Sequence, residues 1–127
     1  KEYFIKKICY AVKKEIKISL GNINNVRDYS WAPEIMKAVI HLHKIKPCDI
    51  ILGTGKGISG KKIIKYLYGL KKLNYKNYIT IKKNLFRKKE EKFIVASMTD
   101  TLKKLKKFNW KPKIFGEKLI HMIYKNI

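Results

Sequence analysis

Two arginines stand among 31 basic residues, and their scarcity singles out two positions. Arg27 lies in Leu20-Gly21-Asn22-Ile23-Asn24-Asn25-Val26-Arg27-Asp28-Tyr29, and Arg87 in Leu85-Phe86-Arg87-Lys88-Lys89-Glu90. Lysine is a compact point charge and serves wherever a solvated cation is enough. Arginine presents a planar fork of five donors that grips phosphate or carboxylate through two parallel hydrogen bonds. In a chain otherwise committed to lysine, the two retained arginines point to recognition of an anion.

Other residues of chemical interest are less informative. Gly55-Lys56-Gly57-Ile58-Ser59-Gly60 spells G-x-G-x-x-G between an expected strand and an expected helix. In a dinucleotide fingerprint such glycines let a pyrophosphate reach a helix N-terminus. That motif also requires a carboxylate about 20 residues on to hold a ribose. Here the corresponding stretch, Ile79-Thr80-Ile81-Lys82-Lys83-Asn84, has none. Gly55 to Lys61 also approaches a P-loop, but Lys62 stands where a magnesium-binding Ser or Thr is needed. The expected role of this loop is therefore a strand-to-helix turn capped by Ser59. His41, His43 and His121 lack carboxylate or thiolate neighbours at ligand spacing and are expected to pack helices, so no metal site is anticipated. Nine acidic residues provide no catalytic carboxylate pair, only adjacent Glu90 and Glu91. No catalytic residue is expected within this chain.

The elements that must position the arginines follow from periodicity. Phe4, Ile5, Ile8 and Ala11/Val12 predict a helix over residues 2–14. Alternation from Ile16 to Leu20 predicts a half-buried strand, followed by a Gly/Asn turn and a short extended piece from Val26 to Tyr29. Ser30 is placed to cap a helix that contains Pro33 in its first turn and runs to His43, where Pro47 stops it. Asp49–Leu52 reads as a short parallel strand covered on both faces. A helix from Ser59 to Leu70, a strand from Tyr78 to Lys82, a basic irregular stretch over 83–97 and two further helices (Leu102 to Phe108 and Phe115 to Ile123) complete an α/β pattern. These strands are too few for a self-sufficient doubly wound sheet.

A chain of 127 residues and 46% hydrophobic content is long enough to bury one core. The net charge of +22 ordinarily points to nucleic acid or anionic lipid. The lysines, however, are spread along the chain as KK pairs, and no nucleic-acid motif accompanies them, so neither partner is expected. Cys9 and Cys48, far apart and outside any CxxC arrangement, read as reduced, buried thiols of a cytoplasmic protein. No apolar run reaches the roughly 20 residues that span a bilayer. The chain starts at Lys1 and enters directly into an amphipathic segment, as a fragment would.

In order, the motifs resemble the C-terminal part of GDP-mannose 4,6-dehydratase, an extended short-chain dehydrogenase/reductase family. Tyr3-Phe4-Ile5-Lys6-Lys7-Ile8 corresponds to its basic F-V-T-R-K-I helix, and Leu20-Gly21-Asn22 with Arg27-Asp28-Tyr29 to its L-G-N and R-D-W. Ala32-Pro33-Glu34-Ile35-Met36 corresponds to its A-P-E-Y-V helix, and Gly53-Thr54-Gly55 to Ser59 to its A-T-G strand end and Ser-capped helix. Arg87-Lys88-Lys89-Glu90 matches R-P-x-E without the proline, and Phe108-Asn109-Trp110-Lys111-Pro112 matches L-G-W-K-P. Both arginines fall on motif positions. The R-D-W-G-H of the family appears here as Arg27-Asp28-Tyr29-Ser30-Trp31.

The resemblance implies a GDP-sugar site in this half of the fold. Lys7 and Arg27 would sit at the diphosphate, Arg87 at the diphosphate or the ribose, and Glu90 at the ribose hydroxyls, with Asn22 of the L-G-N motif also binding substrate. It implies residues 1–30 and 73–127 as most of a substrate-binding lobe, and 31–72 as a helix-strand-helix at the edge of a Rossmann sheet. The NADP loop, the Tyr-x-x-x-Lys pair and the acid/base groups would belong to an N-terminal Rossmann half outside these residues, so this portion alone would be inactive. The complete enzyme would be a cytoplasmic homo-oligomer that oxidises, dehydrates and re-reduces its sugar. From a different class, a free-standing basic module for nucleic acid or another polyanion is the alternative, with a degraded P-loop protein behind it.

Overall fold

The apolar stripe that begins at Phe4 forms α1 over Phe4–Lys14, and Glu15 ends it in the left-handed region. This computed structural model describes residues 3–127. Two other amphipathic helices, α3 (Gly60–Leu70) and α5 (Gly116–Lys125), pack on α1. Their facing rows, Ile8 and Val12, Ile63, Ile64 and Leu67, and Ile120, are withdrawn completely from solvent. Each such side chain contributes roughly 1.5–3 kcal/mol on burial. The three helices and β1 (Ile18–Leu20) enclose the main core, with Tyr68 and Tyr78 in contact at 5.4 Å between ring centroids.

A second, smaller core forms under α2 (Ala32–Leu42), where Ala38 meets Met98, Leu105 and Trp110. α4 (Thr99–Lys104) is short and passes through one 3-10 turn to Asn109, whose positive φ ends the segment. Glu34 ties this core together. Its side-chain oxygens accept from the Lys113 and Ile114 amides at 3.0–3.1 Å, and its carbonyl accepts from the Trp110 indole at 2.9 Å. α3 belongs to the first core and α2 to the second.

The strands form two small sheets. β1 pairs in parallel with β4 (Ile79–Ile81). β2 (Val26–Asp28) lies between antiparallel β3 (Gly57–Ser59) and parallel β5 (Phe93–Ile94). β3 falls within the stretch read from sequence as loop, because the open edge of β2 offers it a ladder partner.

Three expectations are corrected. Ser30 does not cap α2. Trp31 occupies the N-cap position without a side-chain bond, while Pro33 sits in the first turn as expected. Asp49–Leu52 is not a strand, and Ile51 is 59% exposed. Among the described residues no strand lies beside it, and its carbonyls are held by side chains, Thr101 Oγ1 on Ile51 and Lys104 Nζ on Asp49. Finally, Cys9 is buried as expected but Cys48 is exposed.

Candidate functional site

β2 is the central strand of its sheet, and Arg27 is its middle residue, opposite Ile58 on one side and Ile94 on the other. A guanidinium mounted there inherits the rigidity of two ladders. The Leu20–Asn25 turn, immediately before β2, carries Gly21, Asn22 and Asn25 to the same side of the molecule, and the segment that leads into β5 brings Arg87 and Glu90. Together with Phe4, Tyr29, Gly60 and Leu85 these residues line an open cleft of about 260 Å³. Asn22, Arg27, Arg87 and Glu90 are thus brought together from positions up to 68 residues apart in sequence.

The charges in the cleft are arranged around one carboxylate. Arg27 Nη2 donates to Glu90 Oε1 at 3.2 Å, and Nη1 donates to the Val26 carbonyl at 2.8 Å. Both ion-pair side chains are largely shielded, each 23% exposed. Arg87 approaches the same Oε1 only to 4.0 Å and stays mostly in solvent. Glu90 therefore orients Arg27 while leaving the cleft with one net positive charge from these three groups. Burial is the main reason the Tyr29 phenol is pushed up, with Arg27 pulling it down and Glu90 pushing it up. Asn22 is held on both sides, by Asn24 N–H on its Oδ1 and by donation from its Nδ2 to Asn25 Oδ1, both at 2.9 Å. This arrangement suits an anion with neighbouring hydroxyls, since it combines forked cations, amide groups and one acceptor carboxylate.

Lys7 is not brought into this cleft. It lies on the face of α1 that meets β1, and its ammonium donates to the Ser19 carbonyl at 3.0 Å. One turn earlier on the same helix, Phe4 reaches the cleft instead. Phe4, Asn25 and Tyr29 also line the cleft; Phe4 and Tyr29 stand within matched motifs but are not among the expected site residues, and Asn25 lies outside them. For Asn25, only its proximity to Arg27 in sequence was a signal.

Asp28 braces the site from behind. Its carboxylate accepts from the amides of Thr54, Gly55 and Ala96 at 2.9–3.3 Å and from the Thr54 hydroxyl. One side chain thereby fastens β2 to the loop before β3 and to the segment after β5.

The glycine-rich loop does not fit a dinucleotide, because its donors are already engaged. Gly55 N–H goes to Asp28, Lys56 N–H to Thr54 Oγ1, and Lys62 N–H to Ser59 Oγ. Gly60 N–H goes to the Asn25 carbonyl and Lys61 N–H to that of Ile23. The glycines serve backbone geometry. Gly55 has φ +70, and a Cβ on Gly60 would lie 2.8 Å from the Phe4 ring and 2.9 Å from the Ile23 carbonyl oxygen. Two of the histidines pack as expected, His41 stacked on Phe108 at 4.5 Å and His121 hydrogen-bonded to the Tyr66 hydroxyl, whereas His43 is exposed at the end of α2. No cluster of three potential metal ligands occurs among the described residues. Nor is any helix among them long and apolar enough to cross a membrane.

Solved structures share this architecture. dTDP-glucose 4,6-dehydratase from Bacillus anthracis, in complex with NAD, superposes on 97% of the chain with a TM-score of 0.78 at 15% identity, the match taking in 38% of that enzyme. RMD from Pseudomonas aeruginosa, complexed with NADPH, gives 0.73 over 97% of the chain and 40% of its own length, also at 15% identity. The fold is thus part of the α/β fold of extended short-chain dehydrogenase/reductase enzymes. The sequence makes the relationship narrower. The GDP-mannose 4,6 dehydratase family profile matches residues 2–123, and the chain belongs to that family. GDP-mannose 4,6 dehydratase 1 of Arabidopsis thaliana is 31% identical over 110 residues, which is 86% of this chain. The chain spans about 30% of the length of that relative.

Proposed function

We propose that this chain is the nucleotide-sugar-binding portion of a GDP-mannose 4,6-dehydratase. The observation that carries the proposal is the gathering of Asn22, Arg27, Arg87 and Glu90, each on a motif of the family, around one cleft. Arg27, held by Glu90 and the Val26 carbonyl, is the diphosphate clamp. Arg87, free to swing, closes on the diphosphate or the ribose. Glu90 accepts from ribose hydroxyls, and Asn22 supplies an amide at the floor. Lys7 serves β1 and takes no part in binding.

In the complete enzyme the substrate would be GDP-mannose and the product GDP-4-keto-6-deoxymannose. NADP, held by a Rossmann half, supplies the hydride acceptor and donor. The groups in this chain bind and orient the nucleotide, and none is assigned a proton-transfer step. Turnover therefore requires the other half, and these residues alone bind without catalysis. The lobe would draw on residues 1–30 and 73–127 together with α3, while α2 and the 49–52 segment would border the Rossmann sheet. A cytoplasmic homo-oligomer is the expected setting of the whole enzyme.

Calorimetric titration with GDP tests this assignment. The wild-type chain is expected to bind, and Arg27→Ala to lose about tenfold or more in affinity, as hydrogen bonds to charged groups contribute about 1.5–3 kcal/mol each. Equal affinities would refute it. Tight binding of oligonucleotides that declines steeply with salt and does not compete with GDP would favour the basic-module alternative instead.

A further inference from the structure

The cleft wall contains a buried polar atom that the ion pairs and amide bonds leave unused. Asn25 lines the cleft and is 8% exposed, yet its Nδ2 has no hydrogen-bond partner. Its orientation is determined by its neighbours. Asn24 N–H donates to Asn22 Oδ1, so Asn22 must present Nδ2 to Asn25, and Asn25 must answer with Oδ1. The Asn25 backbone is held as well, since its carbonyl accepts from Gly60 N–H. The amino group is thus left as a donor without an acceptor, in a protein where buried donors are almost always paired. Exchanging the amide's oxygen and nitrogen would set two NH₂ groups against each other and offers no relief.

We infer that Asn25 is a further ligand-binding residue, whose amino group donates to a phosphate oxygen of the nucleotide. Because Oδ1 is committed to Asn22, the free end of Asn25 offers donors only, and its complement is a ligand atom that only accepts. A phosphate oxygen meets that condition, whereas a sugar hydroxyl does so incompletely. Arg27 and Arg87 line the same cleft and favour the same charge. The amino group is itself shielded from solvent, so binding requires Asn25 to turn it toward an oxygen lodged in the cleft. The inference rests on the assignment of the cleft to a nucleotide sugar.

Asn25→Asp separates a direct contact from support of Asn22. Aspartate keeps the acceptor for Asn22 Nδ2 and replaces the free donor with a second oxygen. GDP and guanosine are titrated into wild type, Asn25→Asp, Asn25→Ala and Arg27→Ala at low and at high salt, with melting curves recorded for each. GDP affinity is expected to fall at least about tenfold in Asn25→Asp and about threefold or more in Asn25→Ala, on the scale of one hydrogen bond to a charged group. The deficit should persist at high salt, where long-range repulsion is screened, and guanosine binding should not change. If Arg27→Ala loses GDP while folded Asn25→Ala matches wild type, the Asn25 inference falls and the cleft assignment stands. If Asn25→Asp melts early, Asn25→Ala alone decides. Failure of the wild-type chain to bind GDP overturns both.

Discussion

Replacing Asp28 with asparagine should weaken the whole sheet around Arg27. Its carboxylate takes three backbone amides, those of Thr54, Gly55 and Ala96, and the Thr54 hydroxyl. In Asp28→Asn the remaining oxygen is best kept at the Oδ2 position, which serves all three amides, and the Thr54 hydroxyl rotates to accept from the new amino group. Geometry is then retained and charge assistance is lost. Bonds to charged groups contribute about 1.5–3 kcal/mol and neutral ones about 0.5–1.5, so three of them lose about 3 kcal/mol in total. A domain of this size is stable by roughly 5–15 kcal/mol, and each kcal/mol moves its melting midpoint by roughly 3–5 °C. Thermal unfolding followed by circular dichroism should show a fall of about 10–15 °C, with an unchanged urea m-value. A midpoint within about 3 °C of wild type would show that the carboxylate charge is not what fastens β2 to its neighbours.

Two further tests concern the main core. Burial pushes the Cys9 thiol up to about 11 from the ordinary 9.0, with Lys13 drawing it partly back. Below pH 9 the thiol is neutral in both folded and unfolded chains. Between pH 9 and 11 the unfolded chain ionises first, so stability falls by up to about 3 kcal/mol over that window. Urea titrations of wild type and Cys9→Ala should show the steeper loss in wild type, and at pH 8 a thiol reagent should modify exposed Cys48 well before Cys9. Gly60→Ala drives a methyl against the Phe4 ring and the Ile23 carbonyl, and should cost about 1–3 kcal/mol in chemical denaturation. An unaltered denaturation midpoint would mean that Phe4 can yield its place.

Helices were the most legible elements, because one apolar stripe at 3.6-residue spacing suffices to define each of α1, α3 and α5. Ser59 was legible as a cap for the same local reason, and accepts from Lys62 N–H as expected. Asp49–Leu52 forms no strand, because an apolar run states that burial is needed but does not provide the neighbouring strand. β3 is illegible in sequence because a three-residue strand is made by its partner, and nothing in Gly57-Ile58-Ser59 announces β2.

Sequence by itself determined the α/β class, the ordered motifs that mark the family, and the arginines around which a site had to form. Those are properties of local spacing and residue chemistry. Only the tertiary structure decided which side chains share the cleft. It brought Glu90 to Arg27 across 63 positions and turned Lys7 away to β1. It also placed Phe4 and Asn25 in the wall and consumed the donors of the glycine-rich loop. Such outcomes depend on how helices and strands pack together, and no local pattern encodes the direction in which a side chain finally points.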